Sequence, residues 1–325
     1  MRAITYNPNN KKFSLSTVKQ PTPAENQVLV KVTACGLNPV DAKISQWQHM
    51  VPNMDDSWVA GLDVVGEIVQ LGQGVKGWQI GDKVICHGDM LKPHGGLAEY
   101  CIQDAKHLLP DPVIDDALAA AIPCAGWTAW RALVDKLDIG DRKSILITGG
   151  SGGVGSFAIQ IAKFFGVKQI ITTCSAQNTE YVSKLGATDI IDYKQQNIVD
   201  EVMKLTSGQG VEVGLDTVGG DNDIYVANSL SFEGEMVELV QTIRPEAYQD
   251  SFLRGLSFHQ LSLGSGLRNG FDALTKTLRA GKAMTRCVLA GDIAVPVNTI
   301  SLEQVPETLE NMLNQRTVGK IVAVL

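Results

Sequence analysis

The sequence lacks the features that mark secreted, membrane-spanning and nucleic-acid-binding proteins. No apolar run reaches the roughly 20 residues of a membrane span, and the N-terminus has no apolar segment of the signal-peptide type. Basic residues number 28 against 35 acidic ones and form no block. We therefore expect no nucleic-acid partner, no membrane partner and a cytoplasmic protein.

Closely spaced cysteine pairs are absent from the sequence, and aromatic residues are few. The six cysteines are scattered and include no C-x-x-C pair, which predicts reduced, buried thiols. Aromatic residues make up 6% of the chain, whereas glycines number 32 and hydrophobic residues reach 44%. This composition favours an α/β protein with many turns and a sizeable core, and 325 residues suggest two domains.

The most informative stretch is an apolar, β-prone run that begins at Ser144 and leads into a cluster of glycines. A segment of helical spacing follows from Val154 to Phe165, and a second β-prone run covers Gln169–Cys174. Strand, tight turn, helix and strand in this order predict a βαβ unit.

Three glycines of the cluster, Gly150, Gly152 and Gly155, fit the pattern G-x-G-x-x-G. In such a loop one glycine makes the turn, the next lets the backbone approach a pyrophosphate, and the last lets the helix pack closely. A tight turn without a ligand is the alternative. The predicted loop contacts to a nucleotide are Gly150, Ser151, Gly152, Gly153, Val154 and Gly155.

The order of predicted elements divides the chain into three segments. Residues 1–122 show many short strands, which predicts a β-barrel-like domain. Residues 123–265 alternate strands with helices, which predicts a doubly wound parallel sheet. Residues 266–325 are too few to fold alone and are expected to complete the first domain.

Breaker residues set several predicted helix ends. Pro123 is expected to separate helices at Asp115–Ile122 and Gly126–Leu137, and Gly281 to end a helix at Phe271–Ala280. A strand at Val295–Ile300 and a helix from Pro306 to about Arg316 are predicted nearer the C-terminus.

The chain resembles the medium-chain dehydrogenase/reductase superfamily, in its zinc-independent quinone oxidoreductase branch, over essentially its whole length. The resemblance implies a GroES-like β-barrel catalytic domain with a doubly wound Rossmann domain inserted in it, and a nicotinamide cofactor. Besides the glycine loop, its markers are the segments 35–41, 61–68, 81–84, 95–100, 123–129, 185–187, 216–219 and 319–322.

The resemblance also implies that no catalytic metal is present. Zinc-dependent relatives bind the metal with a cysteine, a histidine and a second cysteine or aspartate, and the matching positions here are Asn38, Leu62 and Cys124. Catalytic zinc needs three protein ligands, and only Cys124 remains. Without a Lewis acid, a quinone or an α,β-unsaturated carbonyl is the expected acceptor.

The predicted cofactor is NADPH, with NADH possible. No acidic residue follows the strand Gln169–Cys174 to repel a 2′-phosphate. The resemblance places Ser175, Tyr193 and Arg316 around the adenosine phosphate, and Asn178 where related NADPH reductases carry a lysine or arginine.

Two residues are predicted to lie near the nicotinamide. The resemblance implies that Asn38 bonds the ribose or the substrate, a role compatible with capping the turn at Pro39. It implies that Thr128 bonds the nicotinamide or a phosphate; the alternative is an ordinary helix threonine. Val218 and Val240 are further predicted cofactor contacts.

The sequence thus predicts a zinc-independent, NADPH-dependent reductase of small-molecule quinones or enones. A zinc-free alcohol or aldehyde oxidoreductase and a weakly catalytic NADPH-binding protein of the zeta-crystallin type are the alternatives. The family usually dimerises through an edge strand, for which Glu235–Val240 is the candidate, and the loop Gln46–Trp58 either covers the substrate or packs on the barrel.

Overall fold

The computed structural model describes residues 1–294, 297–314 and 317–325, which fall into two compact units. The first unit comprises the described parts of Met1–Ala125, Leu263–Leu289 and Val295–Leu325; the second comprises Gly126–Ser262 and Ala290–Ala294. The short segment Ala290–Ala294 therefore lies with the second unit and not with the expected return segment. There the backbone N–H of Ala294 donates to Oε1 of Gln160 at 2.9 Å.

The strands of the described residues are numbered in chain order. They are β1 Arg2–Asn7, β2 Lys12–Thr17, β3 Gln27–Leu37, β4 Trp58–Val59, β5 Asp63–Leu71, β6 Lys83–His87, β7 Tyr100–Asp104, β8 Leu109–Pro110, β9 Ser144–Ile147, β10 Gln169–Cys174, β11 Asp189–Asp192, β12 Val211–Asp216, β13 Leu230–Glu238, β14 Ser257–Gln260, β15 Val297–Ser301 and β16 Lys320–Val324.

The α-helices are numbered in the same way. They are α1 Pro39–Ala42, α2 Ile44–Trp47, α3 Asp116–Ala120, α4 Thr128–Trp130, α5 Gly153–Phe164, α6 Thr179–Leu185, α7 Ile198–Leu205, α8 Asn222–Asn228, α9 Gly270–Leu289 and α10 Val305–Leu313. No helix of the described residues is both long and apolar enough to span a bilayer.

Two sheets enclose the core of the first unit. One has the order β2-β1-β4, and the other has the order β15-β16-β3-β5-β6-β8 with β7 also paired to β3. Strand β3 contributes Val28, Val30 and Val32 to this core, because alternate side chains of a strand share one face. The C-terminal strand β16 pairs antiparallel with β3, so the end of the chain completes the larger sheet.

The second unit is built on a six-stranded parallel sheet with the order β11-β10-β9-β12-β13-β14. The order runs outward in both directions from β9, which is the doubly wound arrangement that the alternating pattern predicts. In such a sheet the carboxyl ends of β9 and its neighbour β12 flank the point where ligands bind.

Burial overrides one of the predicted helix breaks. Helix α9 continues through Gly281 to Leu289, because Gly281 lies on the buried face together with Ala280 and Met284. Packing of this face offsets the roughly 1 kcal/mol that a glycine costs inside a helix. The break predicted at Pro123 is confirmed: α3 ends at Ala120, and a separate segment of wide i→i+5 turns begins at Pro123 and runs to Trp127.

The predicted dimerisation edge is wrong. Strand β13 contains most of Glu235–Val240, but it lies inside the sheet because β14 pairs with it from Glu235↔Ser257 to Glu238↔Gln260. The edges of this sheet, within the described chain, are therefore β11 and β14.

Candidate functional site

The glycine cluster forms the turn between β9 and α5, and different neighbouring atoms exclude a side chain at its different glycines. A Cβ at Gly150 would lie 2.0 Å from Oγ1 of Thr172, and a Cβ at Gly155 would lie 2.3 Å from the carbonyl oxygen of Gly149. The left-handed turn is made by Gly149, at φ +67, and not by Gly150 as the pattern suggests.

Gly152 is the glycine that local packing does not require. Its φ is −77, and a Cβ there would meet only the carbonyl oxygen of Gly149, at 3.3 Å. The first intrahelical bond of α5 runs from the N–H of Ser156 to the carbonyl of Gly152 at 2.9 Å. The N–H groups of the first helical turn therefore remain for an anion, and the loop fits the pyrophosphate of a dinucleotide.

The loop after β12 adjoins the glycine cluster. Oδ1 of Asp216 accepts the N–H groups of Val218 and Gly219 at 2.8 and 3.2 Å. A Cβ at Gly149 would lie 2.7 Å from Cγ2 of Val218, and a Cβ at Gly219 would lie 2.7 Å from Cγ1 of Val240. The two valines predicted from the sequence thus lie at the carboxyl edge of the parallel sheet, beside the loop.

Two carboxyl groups are paired at this edge, Asp216 at the end of β12 and Glu238 at the end of β13. Burial and the neighbouring Asp216 raise the pKa of Glu238 to about 8. Oε1 of Glu238 accepts the N–H of Val240 at 2.6 Å, whereas Oε2 is buried without a hydrogen-bond partner among the described residues. The sequence analysis did not identify this pair, because the acidic residues lie on separate strands.

Polar uncharged side chains surround the end of β10. Nδ2 of Asn178 donates to Oγ of Ser151 at 3.1 Å and to Oγ of Ser175 at 3.3 Å. Cys174 is paired with Asp192 in the sheet, so Tyr193 follows at the same edge. Nζ of Lys194 lies 6.0 Å from the ring centroid of Tyr193, a cation that the sequence analysis missed.

The structure says less about the other two predicted cofactor contacts, Thr128 and Arg316. Thr128 is buried at the start of α4 in the second unit. Arg316 lies outside the described residues, so its predicted contact stays a prediction.

In the first unit Asn38 belongs to a buried polar network. Its Nδ2 donates to Oδ2 of Asp63 at 2.8 Å and to the carbonyl of Gly36 at 3.3 Å, while its Oδ1 accepts from Nζ of Lys320 at 2.6 Å. Asn38 is the N-cap residue of α1, and its backbone N–H donates to Oδ2 of Asp41 at 2.9 Å, as in a capping box.

Asp63 is the centre of this network and is fully buried. Oδ1 lies 2.9 Å from Nδ1 of His87 and accepts the backbone N–H of Cys124 at 2.9 Å. Oδ2 accepts from Asn38 and lies 3.6 Å from Nζ of Lys320. The buried carboxylate is thus compensated by a cation and by three further hydrogen-bonding groups, as burial of a charge requires.

Burial raises the pKa of two other groups close by. The pKa of Asp41 is raised to about 7, first by burial and then by the charge of Asp63. The same two causes raise the pKa of the Cys124 thiol well above its usual value. Cys124 is therefore a neutral thiol at neutral pH.

The network bears on whether a metal fits this unit. Asp63, His87 and Cys124 each offer one ligand atom, all within 4.8 Å of one another, so tertiary structure gathers three candidate ligands where the sequence suggested one. Both oxygens of Asp63 are already engaged, Oδ1 by His87 and the backbone N–H of Cys124, and Oδ2 by Asn38 and Lys320. A metal would have to displace these hydrogen bonds and the buried ammonium. In this arrangement the residues do not fit a divalent metal.

The loop Gln46–Trp58 packs on the first unit. Trp47 and Trp58 are both buried and belong to its core, with ring centroids 6.4 Å apart in an edge-to-face arrangement. This loop was expected either to cover the substrate or to pack on the barrel, and the burial of its two tryptophans favours packing on the barrel.

Comparison with known proteins finds a family match in each of the two units. The family described as Alcohol dehydrogenase GroES-like domain matches residues 24–113, and the family described as Zinc-binding dehydrogenase matches residues 153–279. A quinone oxidoreductase of Sus scrofa is 30% identical over 317 residues, covering 95% of this chain and 92% of the relative. An NADPH-dependent alkenal/one oxidoreductase of Arabidopsis thaliana is 40% identical over 192 residues, 57% of this chain and 50% of that protein.

Among solved structures, the quinone oxidoreductase from Coxiella burnetii aligns with a TM-score of 0.84 at 25% identity, covering 100% of this chain and 99% of that one. The similarity therefore extends over the whole chain in both sequence and fold. The chain belongs to the medium-chain dehydrogenase/reductase superfamily, in its quinone oxidoreductase branch, and is an oxidoreductase of that type.

Proposed function

We propose that the protein is a zinc-independent reductase that uses NADPH to reduce a quinone or an α,β-unsaturated carbonyl compound. The observation that carries the proposal is the network of Lys320, Asn38 and Asp63. Two of the three positions that would hold zinc, Asn38 and Leu62, carry no metal ligand, and a buried ammonium lies 2.6 Å from the first of them.

The absence of a Lewis acid restricts the acceptors. An isolated ketone or an alcohol needs strong polarisation of its oxygen, whereas conjugation spreads the developing charge of a quinone or an enone. A few hydrogen-bond donors then suffice to stabilise the oxygen. The names of the pig and Arabidopsis relatives, quinone oxidoreductase and alkenal/one oxidoreductase, support these two acceptor classes.

The cofactor proposal follows from the second unit. The backbone of the glycine loop would hold the pyrophosphate, with Gly152 leaving room for it. Ser151, Ser175 and Asn178 would meet the 2′-phosphate, and residues 175–178 contain no carboxylate to repel it. When bound, the reduced nicotinamide supplies a hydride to the acceptor.

We further propose a homodimer. Strand β14, at Ser257–Gln260, pairs on one side only among the described residues, and Phe252 and Leu253 shortly before it are 93% and 75% exposed. Light scattering of the protein, alone and with Phe252→Ser and Leu253→Ser combined, tests this. A monomer in both cases would contradict the dimer.

The test of function is oxidation of NADPH and NADH against a benzoquinone, an ortho-quinone, an alkenal, a simple ketone and an aldehyde. We expect turnover with a quinone or the alkenal, faster with NADPH, and no loss after treatment with a chelator. Turnover with the simple ketone or the aldehyde alone would favour the zinc-free alcohol or aldehyde oxidoreductase. Cofactor binding without turnover would favour the weakly catalytic NADPH-binding protein. Zinc at one per chain, together with inhibition by the chelator, would refute zinc independence.

A further inference from the structure

Two neighbouring loops at the carboxyl edge of the parallel sheet are held by carboxyl groups. The loop after β12 is held by Asp216, whose Oδ1 accepts the backbone N–H of Val218 at 2.8 Å. The loop after β13 is held by Glu238, whose Oε1 accepts the N–H groups of Val240 and Gln241 at 2.6 and 3.0 Å. Each acidic residue ends its strand and fixes the backbone that follows it.

These two loops are also joined to each other and to the glycine cluster. The side chain of Gln241 donates from Nε2 to the carbonyl of Gly220 at 2.7 Å and accepts the N–H of Gly220 at 3.1 Å. Oγ1 of Thr148 donates to Oδ1 of Asp216 at 2.6 Å, and Thr148 directly precedes Gly149, which makes the left-handed turn. The loops after β9, β12 and β13 therefore form one hydrogen-bonded edge.

The two carboxyl groups lie side by side without a cation. Asp216 and Glu238 are paired in register on adjacent parallel strands, are 0% and 1% exposed, and are within hydrogen-bonding reach of each other. Their partners in the described chain are backbone N–H groups and the hydroxyl of Thr148, with no lysine, arginine or histidine. Two ionised carboxylates in such a place repel each other, so one of them retains a proton.

The free oxygen of Glu238 is the natural position of this proton. Oε1 already accepts two backbone N–H groups, whereas Oε2 is buried without a partner among the described residues. A carboxylate only accepts hydrogen bonds, so the contact with Asp216 becomes a hydrogen bond when Oε2 carries the proton and donates it.

The ionisable groups around the pair agree with this position. Burial, and then the neighbouring Asp216, raise the pKa of Glu238 to about 8. Burial also raises the pKa of Tyr248, the other ionisable group that interacts with Glu238, so its phenol stays neutral. At neutral pH the pair therefore carries one proton and one negative charge.

We propose that Glu238 is a positioning residue for the cofactor, because the proton that it shares with Asp216 holds together the loops that bind NADPH. This inference rests on the proposed use of NADPH. Loss of the proton leaves two repelling carboxylates beneath Val218 and Val240, the predicted cofactor contacts of the two loops. It also adds a negative charge near an anionic cofactor, so NADPH binding should weaken as the pH rises through about 8.

The pH dependence of NADPH affinity provides the first test. If the protonated pair is the form that binds, its population falls from about nine tenths at pH 7 to about one tenth at pH 9, and the dissociation constant rises about 10-fold. The 2′-phosphate does not titrate in this range, since the second pKa of a phosphate monoester is about 6. Fluorescence titration at both pH values measures the change.

Two variants separate the proton from the side chain. Glu238→Gln keeps an acceptor for the N–H of Val240 and an amide donor for Asp216 but cannot ionise, so it should bind NADPH tightly at both pH values. Glu238→Ala loses both bonds and should bind about 10-fold more weakly at both. Glu235→Gln is the control, because Glu235 lies at the other end of the paired strand and its Oε1 is 2.7 Å from Arg142. It should retain the 10-fold change with pH.

The shared proton can be observed without cofactor. In protein labelled with ¹³C-glutamate, the Cδ resonance of Glu238 is identified by its loss in Glu238→Gln. We expect it to titrate near pH 8, whereas an unperturbed glutamate titrates near its ordinary value of 4.5.

The outcomes distinguish this inference from the proposed function. NADPH binding that changes less than about 2-fold between pH 7 and pH 9, or that changes equally in Glu238→Gln, would overturn the positioning role alone. Titration of the Glu238 resonance near 4.5 would overturn the shared proton. No NADPH binding at either pH would refute the proposed cofactor and the positioning role together.

Discussion

The ammonium of Lys320 lies 2.6 Å from Oδ1 of Asn38, although 282 positions separate the two residues in the chain. The C-terminal strand β16 pairs with β3, whose end leads into Asn38, and so delivers a positive charge to the first unit. Lys320 is 3% exposed and also faces Asp63, which is fully buried. A cation and a carboxylate therefore lie close together inside the unit, and each offsets the cost of burying the charge of the other.

Replacing Lys320 with Met should destabilise the first unit. The change leaves the carboxylate of Asp63 buried without its cation, and breaking a buried ion pair in this way costs about 3 kcal/mol or more. Denaturation in urea, followed by circular dichroism, measures the loss. Lys31→Met is the control, because Lys31 is exposed on β3, and it should change the free energy of unfolding by no more than about 0.5 kcal/mol. Equal stability of the two variants would contradict the importance of the buried pair.

Stability should fall between about pH 4 and pH 7 through Asp41. Its pKa is about 7 in the folded protein, above the ordinary value of 3.8, so the folded state binds more protons in this range than the unfolded state. The stabilisation is complete below the unfolded pKa and is lost as the pH rises through the folded one, and it amounts to no more than about 4 kcal/mol. Unfolding curves at pH 5 and pH 8 should show a smaller difference in Asp41→Asn. The exposed Asp56→Asn should leave the pH dependence unchanged, and an unchanged slope in Asp41→Asn would exclude Asp41 as its source.

Gly152→Val should weaken cofactor binding at a small loss of stability. The site has a negative φ, but a Cβ would lie a tight 3.3 Å from the carbonyl oxygen of Gly149, and valine is a poorer N-cap than glycine. The free energy of unfolding should therefore fall by about 1 kcal/mol. A side chain there occupies the place of the pyrophosphate, and the lost hydrogen bonds correspond to about 10- to 100-fold in NADPH affinity. Gly155→Val, in contrast, should destabilise the protein more, because its Cβ would overlap the carbonyl of Gly149. Fluorescence titration with NADPH gives the affinity, and an unchanged value in Gly152→Val would refute the position of the loop.

Asn178→Lys should increase the preference for NADPH. A lysine near Ser175 and Ser151 would add a charge-assisted bond to the 2′-phosphate, worth about 1 kcal/mol or roughly 5-fold in affinity, and leave NADH unaffected. Ser175→Asp should act in the opposite direction, because a carboxylate repels the phosphate. Dissociation constants of both cofactors for both variants provide the test. Parallel changes for NADPH and NADH would mean that this edge of the sheet does not contact the 2′-phosphate.

Local patterns in the sequence were sufficient for the second unit. The run from Ser144 through the glycines into α5 and on to β10 is contiguous, so its periodicity alone predicts strand, turn and helix. The order of strands and helices then implies the doubly wound sheet. The pattern did not reveal that Gly149 makes the left-handed turn, because the torsion angles of the first loop residues depend on the direction in which the chain leaves β9.

Elements whose environment comes from distant residues could not be predicted in this way. Gly281 continues α9 because one face of that helix is buried, and β13 is internal because Ser257–Gln260 returns to pair with it. Both outcomes depend on packing partners far along the chain, which overrides the local preference of glycine or of a single strand.

The sequence thus fixes the class of fold, the family and the glycine loop, because each is encoded in contiguous residues or in the order of motifs. The tertiary structure decides the chemistry of the first unit. Asn38, Asp63, His87 and Lys320 acquire their roles only when β3, β5, β6 and β16 pair, because an ionisable side chain is defined by the charges and donors that folding brings within a few ångströms of it.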